Sequence, residues 1–154
     1  DILFELINYR WVQKLELLNS SPRISKKVNG TDRENSKRGN LSRFKQYIDL
    51  ENPNRKCLIT NERINDNELS IDHVIPWSYL FSDDLWNLVY VKKSENSSKS
   101  NRIPHEEMIS KLEKRNKKLL RLMNSGGISN KYKEELQLSV DRDFVREFWY
   151  GCKG

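Results

Sequence analysis

Residues 70–104 read SIDHVIPWSYLFSDDLWNLVYVKKSENSSKSNRIP. Asp72-His73 comes first, Asn87 follows fourteen positions beyond the histidine, and Asn96 and Lys99 close the run. The chain has only two histidines, and a fold can be built without any of these polar residues. Successive strand residues point to opposite faces, so Asp72 and His73 can serve one bound group only if the strand ends at the pair. Ile75-Pro76 suits such an end, because proline restricts its predecessor and donates nothing to a ladder. Histidine is the one side-chain type of the run whose ordinary titration falls near neutrality, which suits His73 to accepting a proton from water. Asp72 offers a hard oxygen of the kind Mg2+ or Mn2+ takes. Lys99 stands three positions beyond Asn96, on the same face of a short helix.

Working outward, CLIT (57–60) and ELSID (68–72) flank the polar NERINDN and predict a β-hairpin. NLVYV (87–91) is a strand or extended run, and SENSSKSN (94–101) a short helix with Ser94 as its cap. Pro104 suits the first turn of a long helix. Its apolar stripe is Met108, Ile109, Leu112, Leu119, Leu120 and Met123, and Gly126-Gly127 ends it. Ser129 opens a further helix, and the aromatic DFVREFWYG (143–151) packs on the core. Toward the N-terminus, Phe4, Ile7, Trp11, Leu15 and Leu18 mark an amphipathic helix over 2–19, and polar, basic 20–39 is a loop or linker. Asn40 caps a short helix through Leu41, Phe44, Tyr47 and Ile48, stopped by Asn52-Pro53.

The 154 residues are 36% hydrophobic and 32% charged, enough for one modest core. The N-terminus has no signal-peptide pattern and no apolar run is long enough to span a bilayer, so the expectation is a cytoplasmic protein with no membrane partner. Cys57 and Cys152 form no CxxC pair, which argues against a disulfide framework. The net charge of +6 is unevenly laid out: 57–91 holds one basic and six acidic side chains, and 92–121 ten basic against four acidic. An acidic centre between basic flanks is what a metal site serving a polyanion needs, although charge runs of this kind also serve as solvated faces.

The ordered set S-I-D-H-V-I-P-W-S, Asn87 and N-S-S-K-S-N resembles the HNH nucleases of the ββα-metal fold, over residues 57–104. It is especially similar to the HNH domain of RNA-guided CRISPR nucleases, and also to stand-alone bacterial and restriction-type HNH proteins. The resemblance implies an α+β protein: a small ββα-metal core, hairpin plus short helix, embedded in a mostly helical domain. The boundaries it suggests are 1–53, helical and basic; 54–104, the nuclease core; and 105–154, helices packing on that core. It implies His73 as general base, Asp72 and Asn96 as ligands of one Mg2+ (or Mn2+), and Asn87 as the residue holding the loop of the catalytic histidine. Lys99 then meets phosphate, with Lys92, Lys93 and Arg102 as further nucleic-acid contacts. The implied partner is DNA or another nucleic acid, with further domains of a larger parent or a guide complex beside it. A catalytically silent nucleic-acid-binding module and an RNA nuclease are the alternatives.

Many HNH proteins carry a zinc knuckle around the hairpin. Here Thr60 and Glu95 stand where its partners belong, and Cys57, His73, His105 and Cys152 lack ligand spacing, so no structural zinc is expected. Trp77 and Trp86 are expected to pack beneath the metal loop rather than stack on bases. His105 is expected at the surface. KLEKRNKKLLRL (111–122) reads either as a helix with a wet basic face or as a nucleic-acid groove.

Overall fold

Asn40 starts the first ordered helix as a cap should, its Oδ1 accepting from the Ser42 N–H at 2.9 Å. A 3₁₀ turn, Leu41–Phe44, runs into helix α1, Lys45–Glu51, and the buried Phe44, Tyr47 and Ile48 recur at helical spacing. The computed structural model of the chain describes residues 2–4, 7, 40–98 and 102–154. The expected helix over 2–19 and linker over 20–39 therefore lie outside the described residues, apart from 2–4 and 7, which are helical.

The elements that follow are β1 (Leu69–His73), α2 (Trp77–Leu80), a 3₁₀ turn (Leu85–Asn87), β2 (Leu88–Lys92) and α3 (Lys93–Ser98). Three helices complete the chain: α4 (Glu106–Ser125), α5 (Lys131–Asp141) and α6 (Phe144–Lys153). The result is a two-stranded antiparallel sheet with α3 against both strands, set in a mostly helical protein, as the α+β reading requires. No helix among the described residues is long and apolar enough to cross a membrane.

The sheet pairs differently from expectation. β1 runs against β2 with Ser70 opposite Val91, Asp72 opposite Val89 and His73 opposite Leu88, so the partner of ELSID is NLVYV and not CLIT. CLIT closes on itself instead: the Asn61 N–H donates to the Cys57 carbonyl at 2.9 Å, with Asn61 in the left-handed region at φ 60°. Asparagine tolerates that conformation better than most residues, so NERINDN turns too early to return a strand to CLIT. Only a single bridge, Lys56 to Arg63, joins the two arms of this turn. Cys57 and Ile64 drop from it into the core. Leu88–Val91, buried on both faces, has the apolar character of a central strand and takes β1 as its neighbour.

Three helix starts also shift. α3 begins at Lys93, whose N–H donates to the Glu68 carbonyl at 2.8 Å, so the ladder runs into the helix and Ser94 is not its cap. α4 starts after His105, with Pro104 just outside it, and Asn130 rather than Ser129 caps α5 through the Lys133 N–H. The C-terminus of α4 closes as expected: Gly127 adopts φ 67° and the Ile128 N–H donates to the Met123 carbonyl at 3.0 Å.

α4 is the central strut, packing on α1, α5 and α6. Ile109, Leu112, Leu119, Leu120 and Met123 are its buried stripe. Arg115 and Asn116 are buried with them, so this part of 111–122 is neither a wet face nor a groove. Arg115 donates to the carbonyls of Leu88 (2.7 Å), Leu85 (3.1 Å) and Trp86 (3.2 Å), and Asn116 Nδ2 to that of Trp86 (2.9 Å). Burial pushes the Arg115 guanidinium down to about 10, with Glu51 opposing. α6 lays Phe148 on Trp86, ring centroids 5.7 Å apart, and ties Trp149 Nε1 to the Pro104 carbonyl at 2.8 Å. The segment 85–88 is thus gripped from both sides.

Candidate active site

β1 ends at His73, as the pair needed. The His73 side chain is only 3% exposed, with both ring nitrogens near carboxylates: Nε2 lies 2.8 Å from Asp83 Oδ1 and Nδ1 3.8 Å from Asp72 Oδ1. Asp72, His73 and Asn96 line one cavity of about 320 Å³. Ser70 and Asp72 share a face of β1, and Asn96 reaches that face from α3, its Nδ2 donating to Ser70 Oγ at 3.2 Å. The strand and helix of the ββα unit thereby bring the two expected metal ligands and the expected base together.

Asn87 is fully buried. Its Oδ1 accepts from the Ile75 N–H at 2.8 Å and its Nδ2 donates to the Ile75 carbonyl at 2.9 Å. Its own carbonyl accepts from the Val74 N–H at 2.9 Å. These bonds satisfy the backbone just past the end of β1, so Asn87 clamps the segment leaving His73.

The expected nucleic-acid contacts divide. Arg102 lines the cavity. Lys92 faces Glu62 at 3.7 Å and Lys93 donates to the Asn67 carbonyl at 3.0 Å, so both attend the 61–67 loop and neither lines the cavity. Lys99 lies outside the described residues. Trp86 is buried, as expected; Trp77 is half-buried in the cavity wall, its ring 5.2 Å from that of Phe81. His105 is exposed, also as expected, and lies at the cavity wall with Lys111.

Two features escaped the sequence reading. Asp83 sits ten positions beyond His73 across an irregular connection, where no periodicity links them. The only signal was a second acidic group, SDD at 82–84, close to the histidine in the acidic stretch. Arg115 was lost among the surface lysines of α4; its signal was a place on the apolar stripe, three positions beyond Leu112 and four before Leu119. Among the described residues no three His, Cys, Asp or Glu side chains gather as a metal cage. Cys57 is buried in the core and Cys152 half-buried on α6, and neither forms a disulfide among the described residues.

Residues 57–105 match the model of a family described as HNH endonuclease. The CRISPR-associated endonuclease Cas9 of Staphylococcus aureus is 34% identical over 110 residues, a match taking in 58% of this chain and 10% of that protein. The chain spans about a tenth of the length of that relative.

Proposed function

We propose that the chain, whose residues 57–105 match the HNH endonuclease family, hydrolyses phosphodiester bonds of DNA, with His73 activating the attacking water. The observation that carries this reading is the His73 ring itself. Nε2 is taken by Asp83, while Nδ1 stands 3.8 Å from Asp72 beside the cavity that Asn96 also lines. Nδ1 is therefore the nitrogen that accepts the water proton.

The donor set fits one Mg2+ or Mn2+. Asp72 brings a carboxylate, and Asn96, its amide nitrogen committed to Ser70, keeps its carbonyl oxygen for a ligand. One or two protein oxygens are the usual complement for Mg2+, which completes its shell with water and substrate phosphate. When bound, the ion would supply charge neutralisation at the phosphate and the leaving oxygen. Asn87 keeps the end of β1 in place, Arg102 and Lys99 meet phosphate, and helices α1, α4, α5 and α6 brace the 54–104 core. Further domains of a larger parent supply the choice of target.

A supercoiled-plasmid assay tests the reading. Wild type with Mg2+ is expected to nick, and EDTA to abolish nicking. His73→Ala and Asn96→Ala are expected to lose at least about a hundredfold in rate. Equal cleavage by all three proteins, or none by pure wild type with any divalent ion, would refute it.

A further inference from the structure

Asp83 has a place that a surface aspartate has no reason to occupy. Its side chain is 11% exposed, and its two oxygens face opposite ways: Oδ1 to His73 Nε2 at 2.8 Å, Oδ2 to Arg43 Nη2 at 3.8 Å. Arg43 is itself steadied, donating to the Asn40 carbonyl at 2.8 Å and lying 4.6 Å from the centre of the Phe44 ring. The neighbouring Asp84 takes the Ser82 hydroxyl instead, so the two adjacent acids have separate duties. Phe81 makes this possible: at φ 54° it turns the chain out of α2 so that 82–84 pass beneath the histidine.

An ionised carboxylate only accepts hydrogen bonds, so the nitrogen it meets in neutral imidazole must be the one carrying hydrogen. Which nitrogen is free to act is set by the bond the other one makes. On the nuclease reading above, on which this inference rests, we propose that Asp83 is the positioning residue of the reaction. It holds neutral His73 as the Nε2–H tautomer, leaving the Nδ1 lone pair toward Asp72. When Nδ1 takes a proton from water, the ring carries two N–H groups and one positive charge, and Asp83 faces that charge at hydrogen-bond distance. Arg43 keeps the carboxylate aimed. An amide at position 83 removes the constraint, because asparagine can accept from Nε2–H or donate to a bare Nε2 and so allows the unproductive tautomer.

The test is ring-nitrogen NMR on the whole chain, without metal, at pH 9, where an imidazole is neutral. With only two histidines, the His105→Gln variant assigns the signals. Wild type is expected to show His73 protonated on Nε2 alone, and Asp83→Asn and Asp83→Ala to show a mixture, with Asp83→Glu restoring the wild-type pattern in part. In plasmid nicking Asp83→Asn is expected to lower kcat with little change in KM, by up to the roughly 10⁴-fold seen when a triad aspartate is replaced by its amide. Circular dichroism shows whether each variant is folded. Nδ1 protonation in wild type, or a folded Asp83→Asn with the wild-type tautomer, overturns the proposal. The NMR result stands whether or not the chain cuts DNA, so failure of the nuclease reading is seen separately in the plasmid assay.

Discussion

Asn87 shows how far a single side chain can decide where a site stands. Its amide satisfies both the N–H and the carbonyl of Ile75, two residues past His73, in a fully buried place. Asn87→Ala leaves both groups buried without partners, at about 1–3 kcal/mol each. The variant is expected to unfold at markedly lower urea concentration with an unchanged m-value, and to lose nicking even where it remains folded. A midpoint equal to wild type would show that water replaces the amide. The place of Asn87 was legible only through the family resemblance, which implies that it holds the loop of the histidine; as a neutral residue with both a donor and an acceptor it meets both backbone groups of Ile75. Asp83 was not legible, because its contact depends on the left-handed turn at Phe81, and phenylalanine announces no such turn.

At the scale of elements, amphipathic periodicity gave good guidance, end signals did so in part, since three helix starts shift, and pairing did not. The Asn40 cap and the Gly126-Gly127 stop are local physics and stand where expected. Strand partnership is not local: CLIT and NLVYV are both apolar enough to pair with ELSID, and the early turn at Asn61 decides between them. The junction of α4 with α6 offers a pH-dependent case. Burial and a hydrogen bond to Glu113 raise the Asp143 carboxyl above the usual range. Burial also pushes Glu113 upward, but hydrogen bonds from Arg146 and Asp143 bring it below. A raised acid binds its proton more tightly in the folded chain, so its contribution favours folding at low pH and is lost as pH climbs from the unfolded value through the folded one. Asp143→Asn donates to Glu113 without needing that proton, and asparagine suits the left-handed backbone at φ 50°. Its Tm is expected to exceed that of wild type by a margin that widens as pH rises above 4 and then levels off. A margin constant with pH would exclude the shared proton.

Across the whole molecule, the charge layout makes its own prediction about where a polyanion lies. The acidic centre supplies Asp72 and Asp83 to the site, and the basic residues that follow divide by position: Arg102 in the cavity wall, Lys92 and Lys93 on the 61–67 loop. Each phosphate contact releases condensed counterions, so affinity for duplex DNA falls linearly on a log–log plot against salt. Removing one true phosphate contact lowers the slope by about 1 and weakens binding evenly across sequences. Measured by fluorescence anisotropy in EDTA, where no cleavage intervenes, Arg102→Ala is expected to show that loss. Lys92→Ala and Lys93→Ala, whose ammonium groups face Glu62 and the Asn67 carbonyl, are expected to change the slope by well under 1. The opposite pattern, with Arg102 silent and the two lysines carrying the slope, would move the nucleic acid to the far side of the 61–67 loop. A phosphate there would lie away from His73, and the cavity could no longer be where the backbone is cut.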